Sequence, residues 1–291
     1  MERYGILQTE RSRLLPNINL EKVGGIFRMA QLKITVTDSQ GETKFQVCSQ
    51  DEALMVYRGE YSEGDSLVFE TTEPNAYYVI RVDDGMDEAY VYLTTEKLSY
   101  LIPFHEKKIS YDPKCFTGQR HYITMRKAEE FENRSYRNLA QNVMDQHGDL
   151  GCYPHAHANV ETRGESVFAA RNAIDGILAN ESHGPWPYES WGINMQDDAE
   201  ITLEFGRPVD FDQIALYTRA DFPHDNWWVE GTFVFSDGTK EVVKMEKSVK
   251  PHVFSIQRKG ITWLKLCNLI KADDPSPFPA LSQIQVYGVN G

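Results

Sequence analysis

The sequence predicts an all-β protein of two consecutive sandwiches, on three observations. Short stretches alternate apolar and polar residues with period two, which turns one face of a strand to a core and the other to water. Gly, Pro, Asn and Asp break those stretches at roughly 8–12 residue spacing, the rhythm of sandwich strands and turns. Helical periodicity is almost absent along the 291 residues.

The elements follow in order. Leu32, Ile34 and Val36 alternate with Lys33 and Thr35 in the first clear strand, and similar runs lie at Ala53–Tyr57, Ser66–Thr71, Tyr77–Val82, Ala89–Leu93 and Leu98–Ile102. Between them stand the turn residues Gly59, Gly64, Pro74, Asn75, Asp84 and Gly85. These strands define an accessory β-sandwich at 30–110. Residues 1–29 precede it as an N-terminal tail, in which Arg11, Arg13, Glu21 and Lys22 interrupt any apolar centre of the signal-peptide kind. As written, the chain is expected to stay in the cytoplasm, and Met29 offers a second start directly before the first strand. Pro113 and Gly118 break the alternation, and Met125–Tyr136 is charged and free of Gly and Pro. Residues 111–137 therefore read as a partly helical connector.

The second β-domain spans 138–291. Ile201, Leu203 and Phe205 alternate with Thr202 and Glu204, and Ile214 and Leu216 continue the pattern. Thr232–Phe235 runs into Ser236-Asp237-Gly238-Thr239, a hairpin turn, and Ile261–Leu266 and Ile284–Tyr287 close the set. Long loops fall at 176–199, 219–229 and 268–280, and long loops on a rigid sandwich are where binding concentrates.

Composition narrows the function. With 43 acidic against 30 basic residues the net charge is −13, which repels nucleic acid and anionic membrane as principal partners. No apolar run approaches the roughly 18 residues of a membrane helix. Cys48, Cys115, Cys152 and Cys267 are far apart and form no paired motif, so separate reduced thiols are expected. All five tryptophans, Trp186, Trp191, Trp227, Trp228 and Trp263, lie in the second half. Trp263 sits within a strand and is assigned to the core. A loop tryptophan either caps the core or offers a flat platform to a ligand. Adjacent Trp227 and Trp228 on an extended segment point to opposite faces.

From 138 to 290 the order of motifs resembles the discoidin, or coagulation factor 5/8 C-terminal, type of domain, the galactose-binding-like jelly roll of many carbohydrate-binding modules. Asn138-Leu139-Ala140 resembles its opening strand, and Ala169-Ala170-Arg171-Asn172-Ala173-Ile174-Asp175-Gly176 its "A-x-N-A-x-D-G" segment, followed by Trp191. Ile201–Gly206, Ser236–Thr239 and Leu281–Gly288 resemble three further pieces in the family's order. The resemblance implies that the second sandwich is a jelly roll that binds sugar without chemistry. It also implies a structural calcium ion beside the Asp175-Gly176 turn, held by Asp175, by Arg171 and Asn180 through their backbones, and by the closing strand. There the family's Glu is replaced by Gln283, one negative charge fewer. Ligand-binding positions carried over from the family's loops are His183, Trp186, Arg219, Asp221, His224, Asp225, Trp227, Trp228, Asp273 and Asp274. Aromatic rings suit the C–H faces of a pyranose, and Asp, Arg and His suit its hydroxyls.

Two other classes stand beside this one. His155-Ala156-His157 with Glu161 forms H-x-H-x-x-x-E, which resembles the first half of a cupin metal motif and points to a metal-dependent enzyme acting on a sugar or uronate. Alternatively the aromatic loops bury against a protein partner or a second copy, as an assembly module or homo-oligomer. No G-x-S-x-G elbow, P-loop or H-E-x-x-H is present. The acid pairs Asp197-Asp198 and Asp273-Asp274 read as solvated loop residues.

Overall fold

The computed structural model describes residues 30–148, 150–179, 184–220 and 225–291. The tail 1–29 and four of the expected site residues, Asn180, His183, Asp221 and His224, lie outside the described residues.

The fold is all-β. Strands β1 (Gln31–Thr37), β2 (Thr43–Gln50), β3 (Glu52–Tyr57), β4 (Ser66–Thr71), β5 (Ala76–Arg81), β6 (Ala89–Leu93), β7 (Lys97–Leu101) and β8 (His121–Lys127) build most of an N-terminal sandwich. After them come β9 (Arg137–Asn138), β10 (Cys152–Tyr153), β11 (His155–Ala158), β12 (Trp191–Gly192), β13 (Ile201–Thr218), β14 (Trp228–Phe235), β15 (Lys240–Lys244), β16 (His252–Lys271) and β17 (Ala280–Asn290). One N-terminal layer runs β2-β1-β4-β7 and the other β10-β6-β5-β8-β3, all antiparallel. The alternating residues meet between the layers: Leu32, Ile34, Val36 and Phe69 pack with Met55, Tyr78, Ile80, Val91, Ile123 and Met125.

The stretch read as a connector contains a full strand of the N-terminal sandwich, β8. In β8, Ile123 and Met125 are fully buried while the charges of Arg126 and Lys127 stand at its end. The helix shrinks to one turn, Glu130–Asn133, closed by a reciprocal capping box between Glu129 and Glu132. β2 carries little apolar alternation because it is an edge strand with most side chains in water. The N-terminal sheet also takes β10 from the second half of the chain.

The second half is one continuous ladder, β12-β17-β13-β16-β14-β15, with β11 on β13 and β9 on β17. Strands β13 and β16 are 18 and 20 residues long, and their register shifts between Glu204 and Val209, Val209 and Phe211, and Phe211 and Gln213. Such bulges bend a strand and increase its twist, so a single ladder curls around a core as a jelly roll. Trp191, Phe205, Ile214, Leu216, Trp228, Phe233, Phe235, Leu264 and Leu266 fill it. Trp263 is not among them. It alternates with buried Leu264, so its ring lies half-buried on the outer face, opposite Glu204.

The two sandwiches share a seam. Tyr153 lies against Gly206, where any Cβ would fall 2.3 Å from its ring. The Trp186 amide donates to the Ile109 carbonyl at 3.0 Å, and the Ser166 amide to Glu106 Oε1 at 2.6 Å.

Candidate functional site

A cleft of about 200 Å³ opens at the loop end of the jelly roll, walled by Phe168, Met195, Phe278 and Pro279 and rimmed by Arg163 and Asn194. Its polar floor is Arg219 and Asp225, which are 4% and 1% exposed and joined by a 3.4 Å ion pair. Arg219 emerges where β13 ends, and its amide donates to the Ala280 carbonyl at 3.0 Å. The guanidinium also donates to Ser190 Oγ at 2.9 Å. Asp225 is fixed by a parallel bridge to Phe278. Its neighbour Asn226 binds the loop behind, donating from Nδ2 to the carbonyls of Ser276 at 2.7 Å and Ala272 at 3.3 Å. Phe278 is 50% exposed, held between Pro277 and Pro279, which restrict its backbone to an extended form.

The rim carries unusual backbone. Eight described residues other than Gly have positive φ, and three of them, Arg163 at 53°, Asn194 at 50° and Met195 at 59°, line this cleft. Left-handed backbone is costly for a side chain like that of Met and concentrates at binding sites. The turn is held by the Asn194 amide donating to Thr162 Oγ1 at 2.9 Å and the Gln196 amide donating to the Ile193 carbonyl at 2.9 Å. Met195 is left 54% exposed.

Of the sequence-derived ligand positions, the cleft brings together Arg219 and Asp225. Trp228 is corrected: it is fully buried, its ring 6.4 Å from that of Trp191, and it belongs to the core. Its partner Trp227 does point the other way, as strand alternation requires, but is half-buried under Lys247, whose Nζ sits 5.0 Å from its ring. Trp186 lines a different cavity, at the seam. Asp273 is exposed, and Asp274 closes a turn by accepting from the Ser276 amide at 2.9 Å. His183, Asp221 and His224 lie outside the described residues. Phe168, Asn194, Met195 and Phe278 went unread in the sequence. The one local signal was Pro277-Phe278-Pro279, a ring between two prolines in a long loop.

At the expected calcium site the side chain of Gln283 takes the cation's part. Its Oε1 accepts from the Gly176 amide at 3.0 Å, which fixes the amide's orientation, because a backbone N–H can only donate. Its Nε2 then donates to both the Asn172 carbonyl and Asp175 Oδ1, each at 2.6 Å. A cation placed between those two oxygens would meet an N–H₂ group, so this arrangement does not fit calcium. Arg171 uses its guanidinium instead, donating from Nε to the Asp145 carbonyl at 2.9 Å and stacking 4.4 Å from Tyr111. Asn180 lies outside the described residues. Beyond Asp175 lies Glu189, 3% exposed. Burial first, then the charge of Asp175, pushes its carboxyl up to about 9. Burial likewise raises Asp175, against the pull of Arg171. Among the described residues, Asp175 Oδ2 and both Glu189 oxygens meet no donor as bare carboxylates, so the pair is bonded only when it holds a proton.

The alternative metal triad is not assembled. His155 and His157 do share a face of β11, with ring centroids 5.9 Å apart. His155 Nδ1, however, meets Asp145 Oδ1 at 2.8 Å, and Glu161 turns to His147 at 2.8 Å and to the Ala170 amide at 2.7 Å. Among the described residues no group of three His, Cys, Asp or Glu is placed to hold a metal.

No protein-family profile and no curated protein matches this chain. Solved structures do. The lectin domain of lectinolysin complexed with Lewis B antigen is 16% identical, covering 52% of this chain and 96% of that one, with a TM-score of 0.39. A family 32 carbohydrate-binding module from NanJ of C. perfringens, in complex with galactose, is 18% identical over 45% of this chain and 91% of that one, with a TM-score of 0.35. Chitosan-binding module 1 of a chitosanase/glucanase from Paenibacillus sp. IK-5 is 16% identical over 52% and 98%, with a TM-score of 0.34.

Proposed function

We propose that this chain is a carbohydrate-binding protein and that one sugar ring seats in the cleft between Phe168 and Phe278. The observation that carries the reading is an exposed aromatic wall standing over a buried Arg219–Asp225 pair. A pyranose has an apolar C–H face that suits a ring, and vicinal hydroxyls that suit a guanidinium and a carboxylate at once. The floor is held rigid by the Ala280 and Ser190 contacts, so little ordering is needed on binding. The rim residues Arg163 and Asn194 are placed to select among sugars by their outer hydroxyls.

The small buried area and the need to desolvate hydroxyls set the affinity at about micromolar to millimolar. A glycan array probed with the wild-type protein tests the reading. Binding to a defined terminal sugar is expected, lost at least tenfold in Phe278→Ala and Arg219→Lys and kept in Trp227→Ala, whose ring lies outside the cleft. A wild-type protein that binds no glycan, or binding that survives both cleft variants, would overturn it.

A further inference from the structure

A second cavity, of about 210 Å³, lies on the seam between the two sandwiches, and two arginines line it, Arg137 and Arg207. They converge on one acceptor: Arg137 Nη2 donates to Asn290 Oδ1 at 3.0 Å and Arg207 Nη2 to the same atom at 3.3 Å. Arg207 is 7% exposed; its Nη1 donates to the Phe205 carbonyl at 2.6 Å, while its Nε has no hydrogen-bond partner among the described residues. Arg137 donates from Nη1 to the carbonyls of Glu132 at 3.1 Å and Ser135 at 3.3 Å. Tyrosine rings of the N-terminal sandwich flank both guanidiniums: Tyr90 lies 3.9 Å from Arg137, and Tyr77 and Tyr92 lie 5.3 and 5.9 Å from Arg207.

Among the described residues neither guanidinium has a carboxylate within 4.0 Å, although the chain carries 43 acidic residues to 30 basic ones. Elsewhere arginines find acids readily, as in Arg126–Glu132 at 2.7 Å, Arg163–Glu165 at 2.6 Å and Arg258–Glu241 at 3.1 Å. The acid on this cavity's wall, Glu88, is directed to Arg81 at 3.4 Å. Two like charges sharing a buried wall repel each other and have lost their water, and tyrosine faces offset only part of that cost. Burial weakens the hold of both guanidiniums on their protons, and for Arg137 the charge of Arg207 adds to it. An anion would relieve the repulsion and the lost hydration together, and the forked guanidinium matches oxyanion geometry.

We infer that the seam cavity is a binding site for a tetrahedral dianion, phosphate or sulfate, free or as an ester, separate from the sugar cleft. The anion supplies the two negative charges the wall lacks and ties the connector and jelly roll to the N-terminal tyrosines. Inorganic phosphate and sulfate, each titrated against sodium chloride at equal ionic strength, are the probes, with acetate as a planar monoanion for comparison. Phosphate or sulfate is expected to raise Tm in proportion to the logarithm of its concentration above Kd, by roughly 5–10 °C at about a hundredfold excess over Kd. Acetate is expected to do so at least tenfold more weakly. Arg207→Lys keeps the charge and loses the fork, and Arg137→Gln removes the charge at a half-buried position. Both are expected to abolish this rise. A rise no larger than that in chloride, or one that persists in both variants, overturns the assignment. Isothermal titration of the wild-type chain with phosphate tests the same assignment without a variant: one site per chain upholds it and absence of heat refutes it.

Discussion

One substituted amide decides how the Asp175 turn is held. Gln283 spans Gly176, Asn172 and Asp175 with three hydrogen bonds, where a carboxylate would leave two acceptor oxygens facing a third. Calcium or a chelator is therefore expected to leave the wild-type Tm unchanged. In Gln283→Glu, calcium is expected to raise Tm by several degrees and a chelator to lower it. Loss of wild-type stability on chelation would contradict the hydrogen-bond account. Glu189 acts at the same scale. It holds its proton in the fold, to about 9, and releases it in the unfolded chain above the ordinary carboxyl range. Its stabilising contribution is complete below that range and is lost as pH rises toward 9. Tm measured from pH 5 to 9 is thus expected to fall, and Glu189→Gln to flatten that slope and raise Tm at pH 8. An unchanged slope in the variant would show that the pair titrates elsewhere. Of these residues the sequence made Asp175 and Gln283 legible through a motif, but not Glu189, which no motif marks and which the loop after Gly176 brings to Asp175 only in the fold.

At the scale of elements, alternation revealed most strands and the ladder explains the exceptions. β8 was hidden because its inward Ile123 and Met125 are followed by charges, and β2 because an edge strand needs no buried face on either side. Bulges in β13 cannot be seen as alternation, since they shift its phase where the strand turns the corner of the barrel. The loops were legible as loops, but which rings they expose was not. Strand alternation turns Trp228 inward and Trp227 the other way, half-buried beside Lys247, whereas Phe278 between its two prolines is left 50% exposed. The Ile193–Gln196 turn carries its own prediction. Met195 has φ of 59°, which Gly adopts without strain, so Met195→Gly is expected to stabilise the fold by up to about 1 kcal/mol. The same change removes part of the cleft wall and is expected to weaken sugar binding several-fold. Denaturant melts paired with a binding titration check both halves; a variant that is destabilised would show that the turn is not strained.

For the whole molecule, the seam contacts are expected to make the two sandwiches unfold as one cooperative unit. β10 leaves the second half to complete the first sheet, Tyr153 packs on Gly206, and Arg207 lies over the paired rings of Tyr77 and Tyr92. Since every tryptophan belongs to the second half, indole fluorescence reports that half and far-ultraviolet dichroism reports both. The two melts are expected to coincide. Separate midpoints would show two independent domains. The cleft proposed to hold sugar opens at the loop end of the jelly roll, lined by Arg219 and Phe278. A methyl and backbone NMR titration with a panel of monosaccharides tests that placement most directly. Shifts on saturation are predicted at Phe168, Asn194, the Met195 methyl, Arg219 and Phe278. Shifts confined to Trp227 and the Asp273–Asp274 turn, with the cleft silent, would contradict it.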